Sequence, residues 1–135
     1  MNDSILEIRD LSVFFHEKGE ISSFTAVNSL SFSIERGSFM SLGGESGSGK
    51  TVTALSVLGL LPSALIRGQI HYRGKADSPS VDISKLSQKE MTKIRGRRIA
   101  AIFQDPGSAL NPVMKVGEQV EEAYTAHFNS DKNSA

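Results

Sequence analysis

"GGESGSGKTVTAL", Gly43 to Leu55, decides how this chain is read. Four of its first seven residues are glycine, and a lysine, a threonine and a run of helical character follow. Gly44-Glu45-Ser46-Gly47-Ser48-Gly49-Lys50-Thr51 satisfies the pattern G-x-x-x-x-G-K-[ST]. A chain that wraps an anion must aim several backbone N–H groups at one point. It does so through turns that a Cβ resists and glycine accepts. A helix opening near Lys50 adds the positive end of its dipole. Lys50 then reaches the β- and γ-phosphates of a nucleotide as a point charge, and the Thr51 hydroxyl ligates Mg²⁺. Ser46 and Ser48 have no base nearby in sequence and read as loop residues, not nucleophiles. Gly43 departs from expectation. It stands where the last apolar residue of a strand belongs, which loosens the entry to the loop.

Upstream of the loop, "ILEIRDLSVFF" alternates imperfectly and is rich in β-formers, so it reads as a strand. "HEKGEISS" is a polar turn region around Gly19. "FTAVNSLSFSI" is a second strand, with Leu30, Phe32 and Ile34 on one face and Ser31 and Ser33 on the other. "ERG" turns, and "SFMSL" is a short strand feeding the glycines.

Downstream, Val52, Leu55, Leu58 and Leu61 recur at near-helical spacing until Pro62 stops the helix. "GQIHYRG" is a strand, "KADSPS" a loop, and "LSQKEMTKIRG" a helix. A capping box of Ser87 and Glu90 opens that helix, and Gly96 is its terminator. "RIAAIF" is a strand ending at Gln104, and "DPGSALNP" a loop. "VGEQVEEAYTAHF" is an amphipathic helix with Val116, Val120 and Ala123 as its apolar stripe. "NSDKNSA" is a polar tail.

The 135 residues hold 15 Lys and Arg against 15 Asp and Glu, so the chain lacks the basic surplus of a general nucleic-acid binder. No nucleic-acid partner is expected. Without cysteine there is no disulfide and no thiolate metal site, which fits a reducing compartment. "MNDSILEIRD" has neither the basic start nor the apolar core of a signal peptide. "VLGLLPSALI" is too short to span a bilayer, so any membrane connection is expected to run through a partner. His16, His71 and His127 share no ligand spacing. Arg95, Arg97 and Arg98 read as a solvated helix end.

"IFQDPGSALNP", Ile102 to Pro112, supplies a second motif after the phosphate loop. With both in order, the chain resembles the ATP-binding subunits of ABC transporters. "GESGSGKT" is similar to their Walker A. "RGRRIAAIFQDPGSALNPVMKVGEQV" is similar to the Q-loop region of the subfamily that imports dipeptides, oligopeptides and nickel. "LEIRDLSVFF" and "AVNSLSFSIERG" are similar to its opening strands. The resemblance extends to about Phe128, which sets residues 1–128 as a partial nucleotide-binding domain and 129–135 as the tail. It implies an α/β P-loop NTPase fold, with an antiparallel β subdomain and a Walker A strand-loop-helix. The "FQDP…LNP" loop speaks against a different P-loop enzyme, such as a small-molecule kinase.

The resemblance also implies roles. Gly44, Glu45, Ser46, Gly47, Ser48, Gly49, Lys50 and Thr51 hold ATP, with Mg²⁺ on Thr51. Gln104 meets Mg²⁺ and the attacking water, and reports the γ-phosphate to the membrane subunit. Phe15 matches the aromatic that stacks on adenine. A buried strand phenylalanine is the other reading of Phe15, and Phe24 competes for the role. The implied partners are transmembrane permease subunits and a second ATP-binding subunit, in a homo- or heterodimer. The implied place is peripheral, at the cytoplasmic face of the plasma (inner) membrane.

Family members complete catalysis with an LSGGQ-like signature, a Walker B Asp, a catalytic Glu and a switch His, none of which occurs before Ala135. The chain is therefore expected to be the first part of a longer subunit, whether a fragment, an early stop or an incomplete gene model. The alternative is a non-catalytic remnant that binds nucleotide weakly or binds only partner proteins. Groups that stabilise transition-state charge each supply factors of about 10²–10³. Purified chain is expected to release phosphate from ATP no faster than a Lys50→Ala control. Turnover on the order of 1 s⁻¹, with the control inactive, would contradict this.

Overall fold

The imperfect alternation of the first strand has a structural cause. In a computed structural model that describes residues 3–16, 23–105 and 110–128, β1 (Ser4–His16) lies between two neighbours, and its buried residues change parity midway. Ile8 is buried, and so are Leu11 and Val13. Strict alternation would send Leu11 to the opposite face. The extra residue sits at Arg9 and Asp10, where the register with both neighbours shifts and Asp10 takes a left-handed φ of 50°. The partner strand β2 (Ser23–Glu35) makes the matching change at Ser29, with φ 48° between buried Val27 and half-buried Leu30. Serines replace the lost ladder bonds. Asp10 N–H donates to Ser31 Oγ at 2.8 Å, and Ser29 N–H donates to Ser12 Oγ at 2.9 Å. These are β-bulges in the ordinary sense, and they keep one face of the sheet apolar along its whole length.

The sheet is antiparallel, in the order β2-β1-β3-β4. β3 (Ala64–Tyr72) starts four residues earlier than "GQIHYRG" suggests, and β4 (Val81–Asp82) is a two-residue edge. Ile70 faces Ile8 and Ile66 faces Val13, so the β-branched residues of β3 complete the apolar face. Opposite the bulge stands Gly68, with φ +97°. A Cβ there would lie 2.5 Å from the Asp10 carbonyl oxygen and 2.6 Å from that of Arg9. On the other face, the Arg67 guanidinium lies 5.4 Å from the centre of the Phe14 ring, a cation–π contact.

Helix α1 (Lys50–Val57) buries Thr53, Ser56 and Val57. It closes before Pro62, because Gly59 N–H bonds Ser56 O at 3.0 Å and Leu60 N–H bonds Leu55 O at 3.0 Å. After β4, Asp82 caps a single 3-10 turn, Ile83–Lys85, and anchors β3 by accepting from Ile70 N–H at 3.3 Å. Burial pushes the Asp82 carboxyl up. Hydrogen bonds from Ser84, Lys85 and the Ile70 and Ser84 amides more than offset this, holding it below its ordinary value. What the carboxylate contributes is present above the ordinary carboxylate range and is lost as pH falls through the lowered folded value. The capping box forms as read: Ser87 N–H and Oγ–H donate to Glu90 Oε2 at 2.9 and 2.6 Å. The helix it opens, α2 (Gln88–Met91), is only four residues long, so Gly96 is not its terminator.

By its contacts the chain divides into two compact units, Met1–Met91 and Thr92–Ala135. Within the second unit, a tight turn joins Ile94 to Ile99, closed by Arg98 N–H to Ile94 O at 2.8 Å. Helix α3 (Val116–Phe128) follows where the amphipathic pattern places it, but Val116 and Val120 on its stripe are 59% and 64% exposed. Gln119 fastens the preceding loop: its amide accepts from Asn111 N–H at 2.9 Å and donates to the Asn111 and Met114 carbonyls at 3.0 and 3.1 Å. Residues 17–22, most of the "HEKGEISS" turn, lie outside the described residues, as does the 129–135 tail.

Two segments read as strands are not strands. Residues 38–42 and 100–103 have no ladder partner among the described residues, and Ile99 makes only one isolated bridge, to Arg95. A strand exists through its neighbour's hydrogen bonds, so β-propensity without a partner leaves an irregular segment. Phe39 and Ile102 are accordingly fully exposed.

Gly68→Ala is expected to destabilise the chain more than Gly37→Ala does. Both positions have positive φ, which costs alanine about 1–2 kcal/mol, but around Gly37 there is open space. Gly68 adds a backbone clash, of order 1–3 kcal/mol for overpacking. Urea unfolding midpoints of the two variants would measure the difference.

Candidate functional site

The phosphate-loop sequence builds its site on the side of β2. Gly49 is the N-cap of α1, at φ 89° and ψ 3°, and no side chain caps the helix. A Cβ on Gly49 would lie 2.4 Å from the Ala26 carbonyl oxygen and 3.1 Å from Val27 Cγ2. The absence of a side chain therefore lets the loop rest directly on the strand, just ahead of the first amides of α1. Those amides have no acceptor within the helix. At Gly44 a Cβ would meet Ser48 Oγ at 2.6 Å, so the loop closes on itself there as well.

Lys50 is folded over this loop. Its Nζ donates to the Gly44 and Glu45 carbonyls at 2.8 and 2.6 Å and to Ser48 Oγ at 3.2 Å. An ammonium has three donors, and the loop engages all of them. Ser48 N–H also donates to Glu45 O at 3.2 Å. The charge is thus held at the centre of the glycine turns by the chain's own carbonyls. Thr51, the next residue, is exposed, and Thr53 turns inward to donate to Gly49 O at 3.0 Å.

A groove of about 320 Å³ runs from this loop to the strands. Ser46 through Val52 line one end, and Phe15, Phe24 and Ala26 the other. Among the described residues no carboxylate lines it, and Lys50 is its one cation. That composition fits a polyanion at the loop end and an apolar, flat group at the other. A second groove of about 260 Å³ lies beside it and also reaches Ser48 and Lys50, with Leu30 and Leu42 on its walls.

The structure gathers Phe15 with Ser46 through Thr51, while Gly44 and Glu45 take part through their carbonyls. Phe24 and Val52 join them. Phe24 is the cross-strand partner of Phe15, which strand pairing reveals and linear spacing does not. Gln104 stands in the second unit and is exposed. His71 sits on β3 with its Nε2 3.3 Å from Gln69 Oε1. Of the "DPGSALNP" loop, residues 106–109 lie outside the described residues.

Residues 27–134 match the family model described as ABC transporter. Among curated proteins, the chain is 39% identical to the oligopeptide transport ATP-binding protein OppD of Bacillus subtilis, over 97% of this chain and 35% of the relative. It is 40% identical to the OppD of Escherichia coli, over 98% and 37%. It is 38% identical to the glutathione import ATP-binding protein GsiA of Pectobacterium atrosepticum, over 97% and 21%. The chain thus spans between about a fifth and two fifths of the length of these relatives.

Lys50→Ala is expected to weaken binding of Mg-ATP by about 1.5–3 kcal/mol, the worth of charge-assisted hydrogen bonds, which is roughly ten- to 150-fold. The loss is net of the loop contacts that Lys50 makes in the free chain and gives up on binding. Calorimetry or a fluorescent-nucleotide titration would measure it, and unchanged affinity would sink the assignment.

Proposed function

For a chain that belongs to the ABC transporter family, we propose the role of nucleotide-binding portion of an importer's ATP-binding subunit, with peptides as the cargo. The observation that carries this is the loop itself: Lys50 centred over three glycine-spaced acceptors, at the start of α1, in a groove without a described carboxylate. The names of the relatives, oligopeptide transport and glutathione import, support the cargo class.

In this reading Lys50 exchanges its loop carbonyls for β- and γ-phosphate oxygens, and the amides at the start of α1 complete the cradle. The Thr51 hydroxyl, exposed beside Lys50, ligates Mg²⁺. Phe15 covers the adenine. Gln104 takes the family's Q-loop role toward the metal and the attacking water in the complete subunit. Bound ATP supplies the phosphoanhydride whose hydrolysis drives transport in the complete subunit.

The partners are permease subunits and a second ATP-binding subunit, identical or related. Among the described residues no helix is long and apolar enough to cross a membrane. The chain meets the membrane through the permease, at its cytoplasmic face. The second reading, a chain that binds only partner proteins or binds nucleotide weakly, is favoured by the exposed Phe39, Ile102 and Phe103.

The segment from Gln104 to Val120 faces the permease. Val113, Val116 and Val120 on it are 88%, 59% and 64% exposed, apolar surface that a partner would cover. The chain has no native cysteine, so single introduced cysteines are unambiguous. Val113→Cys and Val116→Cys are expected to crosslink to permease loops in membranes carrying the transporter, and Arg9→Cys on β1 is not. Crosslinks from Arg9→Cys alone would reverse the assignment.

A further inference from the structure

The geometry points to Phe24 as a second base-contacting residue, a ring on β2 that together with Phe15 forms a two-ring platform for the nucleobase. The inference rests on the phosphate-loop reading above and adds a residue to it. Phe15 and Phe24 are direct partners across the β1–β2 ladder, and both line the groove that ends at Lys50 and Thr51. Directly opposite side chains in an antiparallel pair have Cβ atoms about 4.5–5.5 Å apart. Two phenyl groups at that spacing offer more flat apolar area than either alone.

Exposure separates their roles. Phe15 is half-buried, so part of its ring already serves the core. Phe24 is 66% exposed, a large apolar side chain left in water at the mouth of a groove whose far end is cationic. A ligand with an anionic tail and an aromatic head satisfies both ends at once. With the phosphates on the loop, the base falls to the aromatic end. Phe24 then gains more cover than Phe15, because it has more to lose to water. A base stacks on an aromatic side chain by its face.

The chain contains no tryptophan, so Phe24→Trp introduces a single fluorophore at the position in question. The full chain is titrated with Mg-ATP and, separately, with Mg-tripolyphosphate, which has the anionic tail and no base. Mg-ATP is expected to quench the introduced tryptophan saturably, and tripolyphosphate is not. Phe24→Ala is expected to weaken Mg-ATP binding about tenfold, within the range of base–aromatic stacking, and to leave tripolyphosphate binding unchanged. Phe24→Tyr is expected to retain the wild-type affinity. Lys50-dependent binding of both ligands with no effect of Phe24→Ala would overturn the platform and leave the loop reading standing. Equal loss for both ligands would show a structural role for Phe24 and also overturn it. If neither ligand binds in a Lys50-dependent way, the loop reading and the platform fall together.

Discussion

The central position of β1 is the constraint on which the first unit depends. It pairs with β2 on one side and β3 on the other, and it contributes Ile8, Leu11 and Val13 to the core. Those three residues share a face only because the strand carries an extra residue at Arg9 and Asp10. The bulge in turn requires a neighbour that can come close, and Gly68 on β3 is that neighbour. A bulge, a left-handed aspartate and a glycine on another strand are thus one feature. Its polar needs are met by Ser31 and Ser12, whose hydroxyls take up the displaced amides.

The same sheet positions the chemistry. The loop from Gly44 to Thr51 is held by its own Lys50 contacts and also rests on the Ala26 carbonyl through Gly49. A few residues earlier on the same strand, Phe24 stands at the other end of the groove. One strand therefore sets the distance between the cationic and aromatic ends. A register slip of one residue in β2 would turn Phe24 to the opposite face and move Ala26 from under the loop.

Elsewhere, local preference and structure diverge. "SFMSL" and "RIAAIF" carry strand-forming residues, yet neither is a strand here. Hydrogen-bonded pairing is a property of two segments, and among the described residues the second segment is not present. Helix α3 shows the contrast. Its hydrogen bonds are internal to the segment, so it forms although Val116 and Val120 remain exposed. Short helices fall between these cases. The Ser87–Glu90 box forms as the residues dictate, but it extends only to Met91.

By itself the sequence determined what depends on neighbours along the chain: the glycine spacing around Lys50, the helix that opens there, the two long strands, the capping box and the amphipathic α3. These follow from φ preferences, side-chain periodicity and short-range hydrogen bonds. The motif order also carried the family, because Walker A and Q-loop patterns are local text. Tertiary structure decided the rest. It placed the bulges, whose signature in sequence is only a broken alternation, and it ended α1 at Val57, well short of Pro62. It also set Phe24 beside Phe15, nine positions away in the chain and adjacent only across the ladder. Register is fixed by which faces are buried together, and no single segment contains that information.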